Sequence, residues 1–107
     1  MVNIKIKPLS VNQCWQGKRF KTNLYKKYER DLLLILPKII IPKAPYKVYY
    51  EFGFSSSASD LDNPIKPLQD ILQKRYGFDD KHIFEMTVKK TKVKKGEEYL
   101  IFEIKTQ

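Results

Sequence analysis

The 107-residue chain predicts a two-layer α+β domain, with helices covering one face of a small mixed sheet. Three observations predict it. Residues 46–54 alternate with period two: Tyr46, Val48, Tyr50, Phe52 and Phe54 fall on one side, and Lys47, Tyr49, Glu51 and Gly53 on the other. Residues 22–36 carry apolar side chains at helical spacing and meet Pro37, which cannot continue a helix. A second helical stripe, Ile65, Leu68, Ile71 and Leu72, starts at Asn63-Pro64 and is followed by Gly77.

The elements follow in order. Residues 2–6 alternate as a half-buried strand does. Residues 8–21 read as a loop opened by Pro8, with Lys18, Arg19 and Lys21 beside Trp15 and Phe20. Thr22 or Asn23 caps a helix running to about Leu36, whose apolar positions are Leu24, Tyr28, Leu32 and Ile35 with Tyr25 and Leu36. Residues 38–45, holding Pro42 and Pro45, are a connection. After the 46–54 strand comes a run of small polar residues, 55–59, suited to a loop that approaches a ligand. Asn63 is the expected N-cap and Pro64 the expected first residue of a helix over 64–75. Residues 83–93 and 98–105 read as two strands, joined as a hairpin through the Lys94-Lys95-Gly96-Glu97 turn. The order strand, helix, strand, helix, strand, strand suits one domain over residues 1–107. A core of this size leaves little margin, and pairing with a second subunit, on the uncovered sheet face or a sheet edge, would be a source of extra buried area.

Composition narrows the function. No stretch approaches ~18 consecutive apolar residues, so no membrane span is expected, and the opening residues lead one to expect no secretory leader. Cys14 is the only cysteine, which excludes an internal disulfide and a cysteine-based zinc cage and suits a free thiol in a reducing cytoplasm. The net charge of +9 points to a polyanionic partner. Its distribution is more informative: residues 1–50 hold 11 basic residues against Glu29 and Asp31, whereas residues 51–107 hold 10 basic and 10 acidic ones. Five aspartates, Asp60, Asp62, Asp70, Asp79 and Asp80, crowd positions 60–80. A protein built only to grip phosphates gains nothing from such a cluster. A metal-assisted phosphodiester cutter requires one.

In an extended segment, side chains at i and i+2 point the same way, so Asp60 and Asp62 can converge on one cation ahead of a helix N-terminus. Asp79 and Asp80 join them only if the chain folds back past the helix. Three carboxylates with water and phosphate oxygens form the usual setting for Mg²⁺, which would activate water and neutralise charge on the phosphorus oxygens. The plainer alternative is a helix cap at Asp60 or Asp62 and a surface turn at Asp79-Asp80. Lys66 stands four residues from both Asp62 and Asp70, as a cation for the scissile phosphate or as an exposed ion pair. His82, the only histidine, could be a ligand or base, or an ordinary exposed side chain.

Residues 89–95 hold five lysines in seven: Lys89, Lys90, Lys92, Lys94 and Lys95. In a strand Lys90, Lys92 and Lys94 share a face and could track phosphates, or the run is a solvated hairpin tip. The first loop, with Lys18, Arg19 and Lys21 among aromatics, has the make-up of a DNA-contacting loop.

The run SDLDNPIKPLQDILQKRYGFDDKHI resembles the signature of the RusA-type Holliday-junction resolvases: Asp-x-Asp-Asn, a lysine four residues after the second Asp, an Asp four further on, and a Gly-aromatic stretch leading to Asp-Asp. The opening PLSVNQ, the basic aromatic loop and the Tyr-rich helix from Thr22 are also similar. The resemblance implies that Asp60, Asp62 and Asp80 are metal-binding carboxylates and Lys66 the essential lysine, with Asp70 and Asp79 in supporting roles. It further implies Mg²⁺ dependence (Mn²⁺ able to substitute), a homodimer, and paired symmetric nicks in a four-way DNA junction during recombination and repair. Such proteins are often encoded by phages or prophages, and a bacterial cytoplasm is the expected location. The chain departs from some members in having Ser55–Ser59 where they carry arginines before Asp-x-Asp. DNA grip would then shift to residues 89–95 and the first loop. Two other functions remain open: a less selective branched-DNA nuclease, and a non-catalytic basic DNA-binding module.

Overall fold

The 46–54 run buries alternate residues and pairs with a strand on each side. The computed structural model describes residues 1–17, 20–58 and 60–107. Its main sheet is mixed, with β4 (Tyr46–Phe54) flanked by β5 (Ile83–Lys92), parallel, and by β6 (Tyr99–Thr106), antiparallel; β1 (Val2–Ile4) adds antiparallel to the far side of β6. The expected α+β class and mixed sheet are therefore present. Helices α1 (Asn23–Ile35) and α2 (Ile65–Tyr76) lie close to their expected bounds. No helix among the described residues is long and apolar enough to cross a membrane.

The two C-terminal strands do not form the hairpin that their spacing predicts. β4 lies between them, and the segment after β5 crosses the end of β4, where the Val93 N–H donates to the Phe54 carbonyl at 2.8 Å. The physical reason is side-chain character. Leu100 and Phe102 of β6 are fully buried, so β6 belongs inside the sheet. An inner position for β5 would bury its lysines, whereas lysines suit an edge strand and discourage further pairing there. Lys94 consequently lies beyond the end of β5, outside the alternation that would align it with Lys90 and Lys92.

Burial marks which face the helices cover. Val48, Tyr50, Phe52 and Phe54 are buried together with Ile4, Leu100 and Phe102, while Lys47, Glu85, Thr87 and Lys105 on the opposite face are exposed. Each large apolar side chain removed from water contributes about 1.5–3 kcal/mol. On the open face the Tyr99 ring covers Gly53, its cross-strand partner, and the Tyr49 and Tyr99 hydroxyls both donate to the Glu51 carboxylate.

Thr22 caps α1 by accepting from the Tyr25 N–H at 3.1 Å. The buried stripe of α1 is Tyr25, Tyr28 and Leu32, continued by Leu36; Leu24 and Ile35, expected in it, are 49% and 51% exposed. The stripe is rotated because Tyr25 and Tyr28, three apart, set its centre. α2 buries Pro67, Leu68, Gln69, Ile71 and Leu72 and ends at Gly77, whose φ of +75° is the left-handed conformation glycine adopts freely. The first loop is more ordered than its composition suggests. It holds a 3₁₀ turn (Val11–Gln13), closed by a Ser10–Gln13 capping box, and a two-stranded ribbon, β2 (Trp15–Gln16) with β3 (Phe20–Lys21).

Candidate active site

β4 and β5 run parallel, so their carboxyl ends lie side by side; the open crevice at such ends is where sheets of this kind bind ligands. The loop from β4 to the N-terminus of α2 leaves from this end and carries Asp60 and Asp62. Asp60 is exposed and accepts from the Asn63 amide at 3.2 Å. Asn63 is not the helix N-cap expected of it. Pro64 occupies that position without a side-chain cap bond, and the Ile65 N–H instead donates to the Asp62 carbonyl at 3.2 Å. Asp60 and Asn63 border a cleft of about 380 Å³ whose other walls include Lys7, Asn12, Gln13 and Ser56. The Val11–Gln13 turn is tied to the start of α2, the Val11 N–H donating to the Asn63 carbonyl at 2.9 Å.

Asp80 follows the other end of α2 and stands along the flank of that helix. Its backbone N–H donates to Gln73 Oε1 at 2.9 Å, and its carboxylate accepts from Gln69 Nε2 at 3.4 Å. Lys66 pairs with Asp70 at 2.8 Å. The hydrogen bond to Asp70 holds the Lys66 ammonium above its ordinary pKa, against a smaller desolvation cost, and the charges of Asp70 and Asp80 add to the effect. Lys66, Gln69, Asp70, Gln73 and Asp80 therefore form one polar row along a flank of α2. Burial pushes the Cys14 thiol up to about 11, and the Asp70 charge adds to the shift, so this cysteine is an inert neutral thiol.

The remaining sequence candidates divide. Asp79 accepts from the Lys81 N–H at 3.0 Å, which lowers its pKa; it caps the 3₁₀ turn Asp80–His82 that aims Asp80. His82 is exposed and stands edge-on to Tyr46, with ring centroids 6.5 Å apart. Lys90 and Lys92 pair with Phe52 and Phe54 across the β4–β5 ladder, on the helix-covered side, and Lys90 Nζ donates to the Ser57 carbonyl at 3.3 Å. Lys94 and Lys95 line an open groove with Ser55 at the same end. Lys89 lies on the opposite face beside Glu51, whose carboxyl the Tyr49 and Tyr99 hydroxyls hold below its ordinary pKa. Lys21 is turned back to Glu29 at 3.2 Å and over the Tyr25 ring. Lys18 and Arg19 lie outside the described residues.

No family model matches the chain, and none of the curated proteins compared with it matches. A hard divalent cation takes carboxylate oxygens and keeps water, so the donor set of Asp60, Asp62 and Asp80 suits one. Among the described residues no three carboxylate, histidine or cysteine side chains are gathered around one point. The structure instead presents two half-sites: Asp60 and Asp62 ahead of α2, and Asp80 along its flank.

Gln69 was not a sequence candidate, nor were Gln73, Tyr50 and the cleft residues Lys7, Asn12 and Gln13. For Gln69 a signal existed: it occupies a core position of the Ile65, Leu68, Leu72 stripe, where a polar residue needs a partner.

Proposed function

We propose that this chain is a Mg²⁺-dependent endonuclease of branched DNA, acting as a homodimer that resolves four-way junctions by paired nicks. The observation that carries the reading is that the aspartate-bearing loop leaves the parallel β4–β5 pair at the end where Lys90 and Lys92 stand, Lys90 donating to the Ser57 carbonyl of that loop. A basic chain gathers carboxylates beside cations there, which phosphate binding alone does not require. Asp60, Asp62 and Asp80 would hold the cation. When bound, it supplies an activated water and charge neutralisation at the phosphorus oxygens. Lys66 places a positive charge where negative charge develops, and Asp70 orients it. Lys90, Lys92, Lys94 and Lys95 meet the phosphate backbone and set affinity and not sequence. The proposed setting is a bacterial cytoplasm, with a phage or prophage source.

The test is to incubate the protein with a four-way junction, a fork and linear duplex, with and without Mg²⁺. Paired nicks confined to the junction support the resolvase reading. Cutting of forks as well supports a less selective branched-DNA nuclease. Binding without cutting in Mg²⁺ or Mn²⁺ refutes an enzymatic role and leaves a DNA-binding module.

A further inference from the structure

Gln69 is buried to 8% exposure, and no other polar or charged residue among those described is buried. A primary amide buried in an apolar layer is costly unless both of its ends are bonded. Here both are. Its Oε1 accepts from the Tyr50 hydroxyl at 3.0 Å, and its Nε2 donates to Asp80 Oδ2 at 3.4 Å. The orientation is dictated by charge, since flipping the amide would set a carbonyl oxygen against the carboxylate. Tyr50 is itself fully buried at the middle of β4, an inner strand. One turn along α2, Gln73 Oε1 accepts from the Asp80 backbone N–H. Asp80 is therefore fixed at two points by two glutamines of α2, and one of these is anchored to the centre of the sheet.

We propose that Gln69 is a positioning residue, which with Tyr50 sets the orientation of the Asp80 carboxylate toward a divalent cation. The proposal rests on the nuclease reading above. Its physical basis is general: groups that hydrogen-bond a ligating carboxylate fix its rotamer, and losing one weakens metal binding by about 10–100-fold. A purely structural glutamine would change folding stability and leave cation affinity alone.

The experiment titrates Mn²⁺ into wild type, Gln69→Met, Tyr50→Phe and Asp80→Asn by calorimetry, with thermal melts on each. Gln69→Met keeps the side-chain length and removes both bonds; Tyr50→Phe removes only the anchor. The expected result is a loss of Mn²⁺ affinity of about 10–100-fold in Gln69→Met and a smaller loss in Tyr50→Phe, each keeping a cooperative melt. In nicking assays the metal concentration for half-maximal rate should rise while the rate at saturating metal stays near wild type. Unchanged Mn²⁺ affinity in a folded Gln69→Met, with binding lost in Asp80→Asn, overturns the role of Gln69 and leaves the nuclease reading standing. Should Gln69→Met lose its cooperative melt, unchanged affinity in Tyr50→Phe overturns the role by itself. A wild-type protein that binds no Mn²⁺, or an Asp80→Asn variant that binds it like wild type, overturns both.

Discussion

Replacing Lys66 with alanine separates a chemical role from a structural one, because the structure bounds the structural cost closely. The Lys66 side chain is 64% exposed and its partner Asp70 35%, with 2.8 Å between them. A pair this accessible contributes about 0.3–0.5 kcal/mol on a helix surface. Its polarity is the weaker one, with the cation N-terminal to the anion. Alanine is also the better helix former, which offsets part of the loss. Lys66→Ala should therefore shift the melting temperature by less than about 4 °C. A cation at a phosphoryl transition state acts on a different scale, and loss of one such group costs about 10²–10³ in rate. The assay is single-turnover nicking of a four-way junction at saturating protein and Mg²⁺, beside a calorimetric melt. Asp70→Asn is the companion variant, since it breaks the same ion pair and keeps the cation. A rate loss of only a few-fold, or equal losses in Lys66→Ala and Asp70→Asn, would reduce Lys66 to its ion pair.

Other outcomes follow from the same geometry. Asp60→Asn, Asp62→Asn and Asp80→Asn should each abolish nicking while junction binding, read by gel shift, holds or tightens; loss of binding in all three would make these residues structural. Lys90→Ala with Lys92→Ala should make the slope of log affinity against log salt shallower by about 2 units and leave the nick position in place. An unchanged slope would mean that neither lysine meets phosphate. Gly53→Ala should destabilise the fold by about 1–3 kcal/mol, since a Cβ there would overlap the Tyr99 ring, and a wild-type melt would show that the ring is not seated on Gly53. Glu29 accepts from Lys21 and Lys74, and although desolvation alone would raise its pKa, these bonds hold it below the ordinary 4.5. A lowered folded-state pKa gives stability that is present above that value and lost as pH falls through the lowered one. The melting-temperature gap between wild type and Glu29→Gln should accordingly be open at pH 7, at about 0.2–1 kcal/mol per pair, and close in acid; a gap that persists in acid would point to packing.

What could be read from the residues was whatever a local rule decides. Period two fixed β4 and its buried side, Thr22 and Pro37 bracketed α1, and Gly77 closed α2 in the conformation its lack of a side chain allows. The misplaced features depended on partners distant in sequence. Residues 83–93 and 98–105 satisfy a hairpin pattern, and only competition for the two sides of β4 separates them. Asn63 has the composition of an N-cap, but the helix begins one residue later, with Pro64 at the cap and the Asn63 amide donating to Asp60. Leu24 and Ile35 lie at helical spacing with the true stripe, yet the two tyrosines turn them to solvent. The aspartates were legible as a set, while the glutamines that hold one of them were not, because a lone Gln among leucines declares neither of its partners.

The parallel placement of β5 is what brings Lys90 and Lys92 to the end of the sheet from which the Asp60 loop leaves. In a hairpin, the lysines of residues 89–95 would gather at a tip, and only the path of that hairpin would decide their distance from Asp60. With β5 parallel to β4, Phe54 and Lys92 end the two strands in register, so the lysines leave the sheet where the loop toward Asp60 leaves it. The bond from Lys90 to the Ser57 carbonyl records that proximity. The arrangement answers the chief electrostatic objection to a carboxylate cluster in a DNA-cutting protein, which is that it repels the substrate. Two opposite unit charges 4 Å apart near a protein surface attract by about 4 kcal/mol at an effective dielectric of 20, and like charges repel equally. Phosphates meeting the aspartates alone would be turned away, whereas phosphates led along Lys90, Lys92, Lys94 and Lys95 meet cations first. On the reading proposed here, the lysines hold the backbone beside the aspartates until a cation offsets the remaining repulsion. Grip and cutting then depend on different residues, which is why the lysine and aspartate variants should fail in different assays.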